Sequence, residues 1–77
     1  MIGTVRVTMK IKWTDGFWIS VRTEDGTAAV SANREGLLSL AEICRSLAGE
    51  SPGAHVHLDK WNSLEDGSSE LIIELAE

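Results

Sequence analysis

The chain has 77 residues, 43% of them hydrophobic and 25% charged, with a formal net charge of -5. So short a chain is one domain, 1-77, with a compact core, because small domains bury the smallest share of their surface. The single cysteine, Cys44, excludes an intramolecular disulfide, no apolar run approaches membrane-spanning length, and net acid argues against nucleic acid, whose binding relies on neutralised phosphates.

Thr4 to Lys12 alternates, with Val5, Val7, Met9 and Ile11 facing one way and Thr4, Arg6, Thr8, Lys10 and Lys12 the other. Period-two patterning of this length predicts a half-buried strand. Trp13 continues the apolar parity, and Thr14-Asp15-Gly16 supplies turn chemistry. Phe17 to Thr23 alternates again, setting Phe17, Ile19 and Val21 against Trp18, Ser20 and Arg22. Glu24-Asp25-Gly26-Thr27 is a hairpin signal of the Asp-Gly type, leading into a weaker strand over Ala28 to Ala32.

From Asn33 to Ala48 the period changes. Leu37, Leu40, Ala41, Cys44, Leu47 and Ala48 recur at spacings of three and four, which predicts a helix with these residues as its buried stripe. Asn33 is the expected N-cap, Glu35 suits the positive helix end, and Gly49 gives the stop. Leu38 lies off the stripe and is expected at the surface. Ala54 to Asp59 and Glu70 to Ala76 read as two more strands, separated by a long loop, Lys60 to Ser69, with Asp66-Gly67 as a turn.

The expected fold is α+β: a two-layer sandwich in which a five-stranded, mainly antiparallel sheet of order β-β-β-α-β-β carries one helix on one face. Leu37, Leu40, Cys44 and Leu47 would pack on Val5, Val7, Ile19, Val21, Val56, Leu58, Leu71 and Ile73. The final hairpin would lie beside the first strand. Arg6, Lys10, Trp18, Arg22, His55, His57, Asp59 and Glu74 would line the open face.

Charge is divided unequally. Residues 1–34 hold five basic and three acidic side chains, residues 35–77 two basic (Arg45, Lys60) and nine acidic. Acid of this kind suits a basic protein partner, and equally serves solubility. His55, His57 and Asp59 fall on one strand face and form the only candidate metal set, or the site of a small hydrolase; the pattern resembles part of the His-x-His-x-Asp-His signature of metallo-β-lactamase-like hydrolases, but Lys60 stands where its last histidine belongs. Cys44 has the place of a small buried hydrophobe, and the three Asp-Gly pairs are turns, not phosphate loops. Trp61 and Leu64, in a polar loop, either tuck back onto the core or present an anchor beside carboxylates. A homo-oligomer pairing through an edge strand is a further alternative.

The runs Asn33-Arg34-Glu35-Gly36-Leu37-Leu38-Ser39-Leu40-Ala41, His55-Val56-His57-Leu58-Asp59, Asn62-Ser63-Leu64-Glu65 and Glu70-Leu71-Ile72-Ile73-Glu74 resemble the immunity protein 32 family of bacterial polymorphic toxin systems. The resemblance implies a small cytoplasmic protein, not an enzyme and without a cofactor, that binds a toxin encoded beside it and blocks it. It brings no catalytic residues. Under it, the partner-binding surface is expected to draw on Asp59, Trp61, Glu65, Asp66 and Glu74, with a basic toxin as partner and a homodimer as an open alternative.

Overall fold

The computed structural model describes residues 11–77. The expected first strand lies outside them except for Ile11 and Lys12, which have no regular secondary structure, and the packing expected of Val5 and Val7 falls outside with it.

The chain then forms β1 (Ile19–Glu24) and β2 (Thr27–Ala32), an antiparallel hairpin. Asp25 and Gly26 close it with φ of 49° and 79°. Left-handed values at both central residues make the type I′ turn, whose twist matches that of the strands. Helix α1 (Arg34–Ala48) follows, and its N-cap is Asn33, whose Oδ1 accepts from Gly36 N–H at 2.8 Å. The same oxygen accepts from Trp18 N–H at 3.1 Å and Asn33 Nδ2 donates to the Gly16 carbonyl at 2.9 Å, so one side chain ties the hairpin entry to the helix. A second antiparallel pair, β3 (His55–Leu58) and β4 (Leu71–Glu74), completes the set.

These strands do not join into the expected five-stranded sheet. Among the described residues they make two separate two-stranded sheets, with one helix. The class remains α+β; the single-sheet sandwich is wrong. The reason lies in what occupies the outer edge of β1. The Ile19 carbonyl accepts from Glu65 N–H at 2.9 Å, and the Val21 carbonyl accepts from Ser69 N–H at 2.8 Å. Val21 N–H donates to Ser68 Oγ at 3.1 Å, and the Thr23 and Ser69 hydroxyls meet at 3.1 Å. An advance of two residues along β1, from Ile19 to Val21, thus faces an advance of four along the loop, from Glu65 to Ser69, with Asp66-Gly67 turning outward between them. A ladder needs equal spacing on both sides, so this edge is satisfied without becoming a sheet.

Both sheets and the helix meet in one core of Ile19, Val21, Ile43, Val56, Leu58 and Leu64, flanked by Ile11, Trp13, Phe17, Leu40, Leu71 and Ile73. Trp13 stacks on Phe17 across the Thr14-Asp15-Gly16 turn, ring centroids 4.6 Å apart.

The helix is rotated from the expected stripe. Its buried residues are Gly36, Ser39, Ile43 and Leu47, with Leu40 half-buried, whereas Leu37, Ala41, Cys44 and Ala48 are exposed, as is Leu38. Gly36 decides the rotation. A Cβ there would collide with the Trp18 carbonyl oxygen and come within 2.9 Å of Ala32 Cβ and 3.0 Å of Ile19 Cγ1. Only the glycine face can approach the hairpin so closely. Ser39 follows on that face, fully buried, its Oγ donating to the Glu35 carbonyl and accepting from Thr14 N–H, both at 2.9 Å. The burial of this hydroxyl is tolerable because it is hydrogen-bonded twice.

This rotation makes opposite demands on adjacent helix positions. Ile43→Ala should cost about 2–5 kcal/mol of stability in urea unfolding, as for other buried aliphatics, and Cys44→Ala less than about 0.5 kcal/mol, as at ordinary surface sites. Equal losses would show that the stripe reading was right and this packing wrong.

Candidate functional site

The loop after β3 begins with a tight turn built by two side chains. The Asp59 carbonyl accepts from the N–H groups of Asn62, Ser63 and Leu64 at 3.2, 3.0 and 2.8 Å. Asp59 Oδ1 accepts from Trp61 N–H at 2.9 Å and from Asn62 N–H at 3.2 Å. Asn62 reciprocates: its Oδ1 accepts from Asp59 N–H at 3.0 Å, and its Nδ2 donates to the His57 carbonyl at 3.0 Å. This is N-cap chemistry, in which a short polar side chain satisfies the free amides of a single turn. Leu64 then enters the core at 5% exposure, and Glu65 N–H bonds to β1. The turn is pinned at both ends.

Its apex is Lys60-Trp61. Trp61 is 85% exposed, the most exposed of the large hydrophobic residues among those described, and Lys60 Nζ sits 5.0 Å from its ring centroid. Indole costs free energy in water, and a cation over one face offsets a fraction of that cost. The two residues of the open sequence alternative therefore behave differently: Leu64 tucks in and Trp61 stands out.

The structure brings only some of the expected carboxylates to this turn. Glu65 and Asp66 are exposed just beyond it. Glu74 is exposed on β4, where the register sets it opposite His55, at the end of the β3–β4 hairpin away from Asp59. Asp59, only partly exposed, has its Oδ1 committed to the turn, so it fixes the backbone of Trp61. Asn62 is the residue that sequence reading passed over; the Asp-x-x-Asn spacing was its signal. Glu70 was also missed as a partner: its Oε2 lies 3.0 Å from His57 Nδ1, an exposed pair.

The alternative metal set does not converge. His55 is buried, not on an open face, and its Nδ1 bonds to the Gly53 carbonyl at 3.0 Å. His57 stacks edgewise on it with centroids 5.0 Å apart and turns Nδ1 to Glu70, while Asp59 turns into the loop. Among the described residues no three side chains of His, Cys, Asp or Glu are grouped to hold an ion. No helix among them is long and apolar enough to cross a membrane.

A family model described as Imm32, Immunity protein 32, matches residues 27–76, more than half of the chain. That span includes β2, the helix, the second hairpin and the whole Trp61 loop. No curated protein and no solved structure matches.

The turn predicts a separation of stability from exposure. Trp61→Ala should leave the unfolding free energy within about 0.5 kcal/mol of the parent, as expected for a solvent-facing side chain. Asp59→Ala, which strips the turn of its cap, should lose about 1 kcal/mol. A large loss with Trp61→Ala in thermal unfolding would mean that the indole is packed.

Proposed function

The chain belongs to the Immunity protein 32 family, and from that premise we propose that it neutralises a cognate bacterial toxin in the cytoplasm by binding it, without catalysis, through the acidic surface around Trp61. Family membership points to toxin neutralisation in general, and the exposed, acid-flanked Trp61 turn points to the surface and to a basic toxin. The observation that carries this reading is an 85% exposed tryptophan on a turn whose backbone is fixed by Asp59 and Asn62.

A rigid, exposed aromatic is what a binding anchor requires. Its burial in a partner's pocket gains a large apolar area, and the pinned backbone loses little further entropy on docking. Lys60 covers one face of the indole and leaves the other to the partner. Beside it, Glu65 and Asp66 supply the carboxylates of a rim, and Glu74, at the other end of the second hairpin, adds to the wider field of a half in which acidic residues outnumber basic ones nine to two. Such charges act on encounter: they draw a basic toxin in and orient it, and contribute less once the complex has closed. Asp59 belongs to this site as the residue that positions the anchor.

Co-expression with the neighbouring toxin gene, followed by binding kinetics, tests the proposal. Trp61→Ala should weaken the complex by about thirty-fold or more, the equivalent of about 2 kcal/mol, mostly through faster dissociation. Glu65→Gln and Asp66→Asn should slow association and flatten its dependence on salt. A folded Trp61→Ala variant that binds as tightly as the parent removes the anchor from the mechanism.

A further inference from the structure

The outer edge of β2 is the mirror case to that of β1. In the hairpin register Ser20 faces Ser31, Arg22 faces Ala29 and Glu24 faces Thr27, while Ile19 and Val21 turn their peptide groups outward to Glu65, Ser68 and Ser69. Peptide groups alternate in direction along a strand, so those of Ala28 and Val30 point away from β1. No described residue is hydrogen-bonded to them there. Among the described residues nothing blunts this edge. Thr27-Ala28-Ala29-Val30-Ser31-Ala32 holds no charge and no proline, every residue from Thr27 to Ser31 is exposed, and Val30 is 42% exposed. Natural edge strands are ordinarily protected by lysine, proline or a bulge.

We propose that this edge pairs with the same edge of a second copy, antiparallel about a two-fold axis, to join two hairpins into one four-stranded sheet. The strand is self-complementary. With Ala28 of each copy opposite Val30 of the other, the two outward-facing residues exchange their N–H and carbonyl groups twice over, and each contact is repeated by symmetry. Small side chains let the backbones close, and no like charges come face to face. Electrostatics favours a second copy over a basic protein here. Gly26 to Arg34 is the longest stretch without a carboxylate among the described residues of an acidic chain, so two copies meet there with the least repulsion. The antiparallel arrangement also brings Arg34 of each copy toward the Glu24-Asp25 turn of the other. A two-stranded sheet is marginal by itself, and doubling it relieves that weakness.

A six-residue edge is a small contact, so the dimer is weak and concentration-dependent. Sedimentation equilibrium of the full chain from about 10 μM to about 1 mM, the range for small transient interfaces, should show the mass rising toward that of two copies. Amide exchange at Ala28 and Val30 should slow in parallel. Ala28→Pro removes an outward N–H and leaves the β1 ladder whole, and Val30→Lys sets two cations in the interface. Either should weaken self-association about ten-fold or more. Ala28→Pro decides the matter if Val30→Lys fails to fold by circular dichroism. A monomer at the highest concentration overturns the proposal, as does a dimer that Ala28→Pro leaves unchanged. Protection of Ala28 and Val30 only after toxin is added also overturns it, and would assign the edge to the toxin.

Discussion

The hydrogen bonds that Glu65, Ser68 and Ser69 make to Ile19 and Val21 are the constraint on which the rest of the molecule depends. They cap the edge of the first hairpin with a loop of the second, so two small sheets share a core without sharing a ladder. They also set the path of the chain out of the Asp59 turn. With Glu65 fixed to β1 on one side and Asp59 fixed to the end of β3 on the other, Leu64 has one place to go, into the core. Trp61, three residues earlier on the same turn, is left outside.

Much of this was legible in residues and some of it was not. The Asp25-Gly26 hairpin, the Asn33 cap and the alternation of Val56 and Leu58 were read correctly because each is local chemistry: a left-handed turn, a short polar acceptor, a period of two. The rotation of the helix was not, and Gly36 and Ser39 explain why. Hydrophobic periodicity finds the face richest in leucine, and it selected Leu37, Ala41 and Cys44. The face that goes inward is the one that can approach most closely, which here means a residue with no side chain followed by one whose hydroxyl finds two partners. Close approach and hydrogen-bond satisfaction leave no mark on a hydropathy pattern. The same limit applies to the sheets. Alternation identifies strands, but which edge a later loop will occupy is decided by contacts more than forty residues apart in the chain, such as Val21 with Ser68.

For the site, the sequence offered a fork at Trp61 and Leu64, and the structure takes both branches at once. What composition could not show is that Asp59 and Asn62 are the frame of the turn. An aspartate in an acidic loop reads as surface charge until its carboxylate is seen to accept two backbone amides. Likewise His55 and His57 read as a pair on one open face, whereas burial and a backbone acceptor separate the first from the second.

That division of labour in the turn has an evolutionary side. The bonds that shape it come from Asp59, Asn62 and the backbone, and the apex residues Lys60 and Trp61 contribute only main-chain groups that any residue except proline would supply at Trp61. The apex is thus a cassette: its side chains can be exchanged without disturbing the frame beneath. A lineage confronted with an altered adversary can rewrite its recognition at these two positions while the stability of the fold stays out of selection's way.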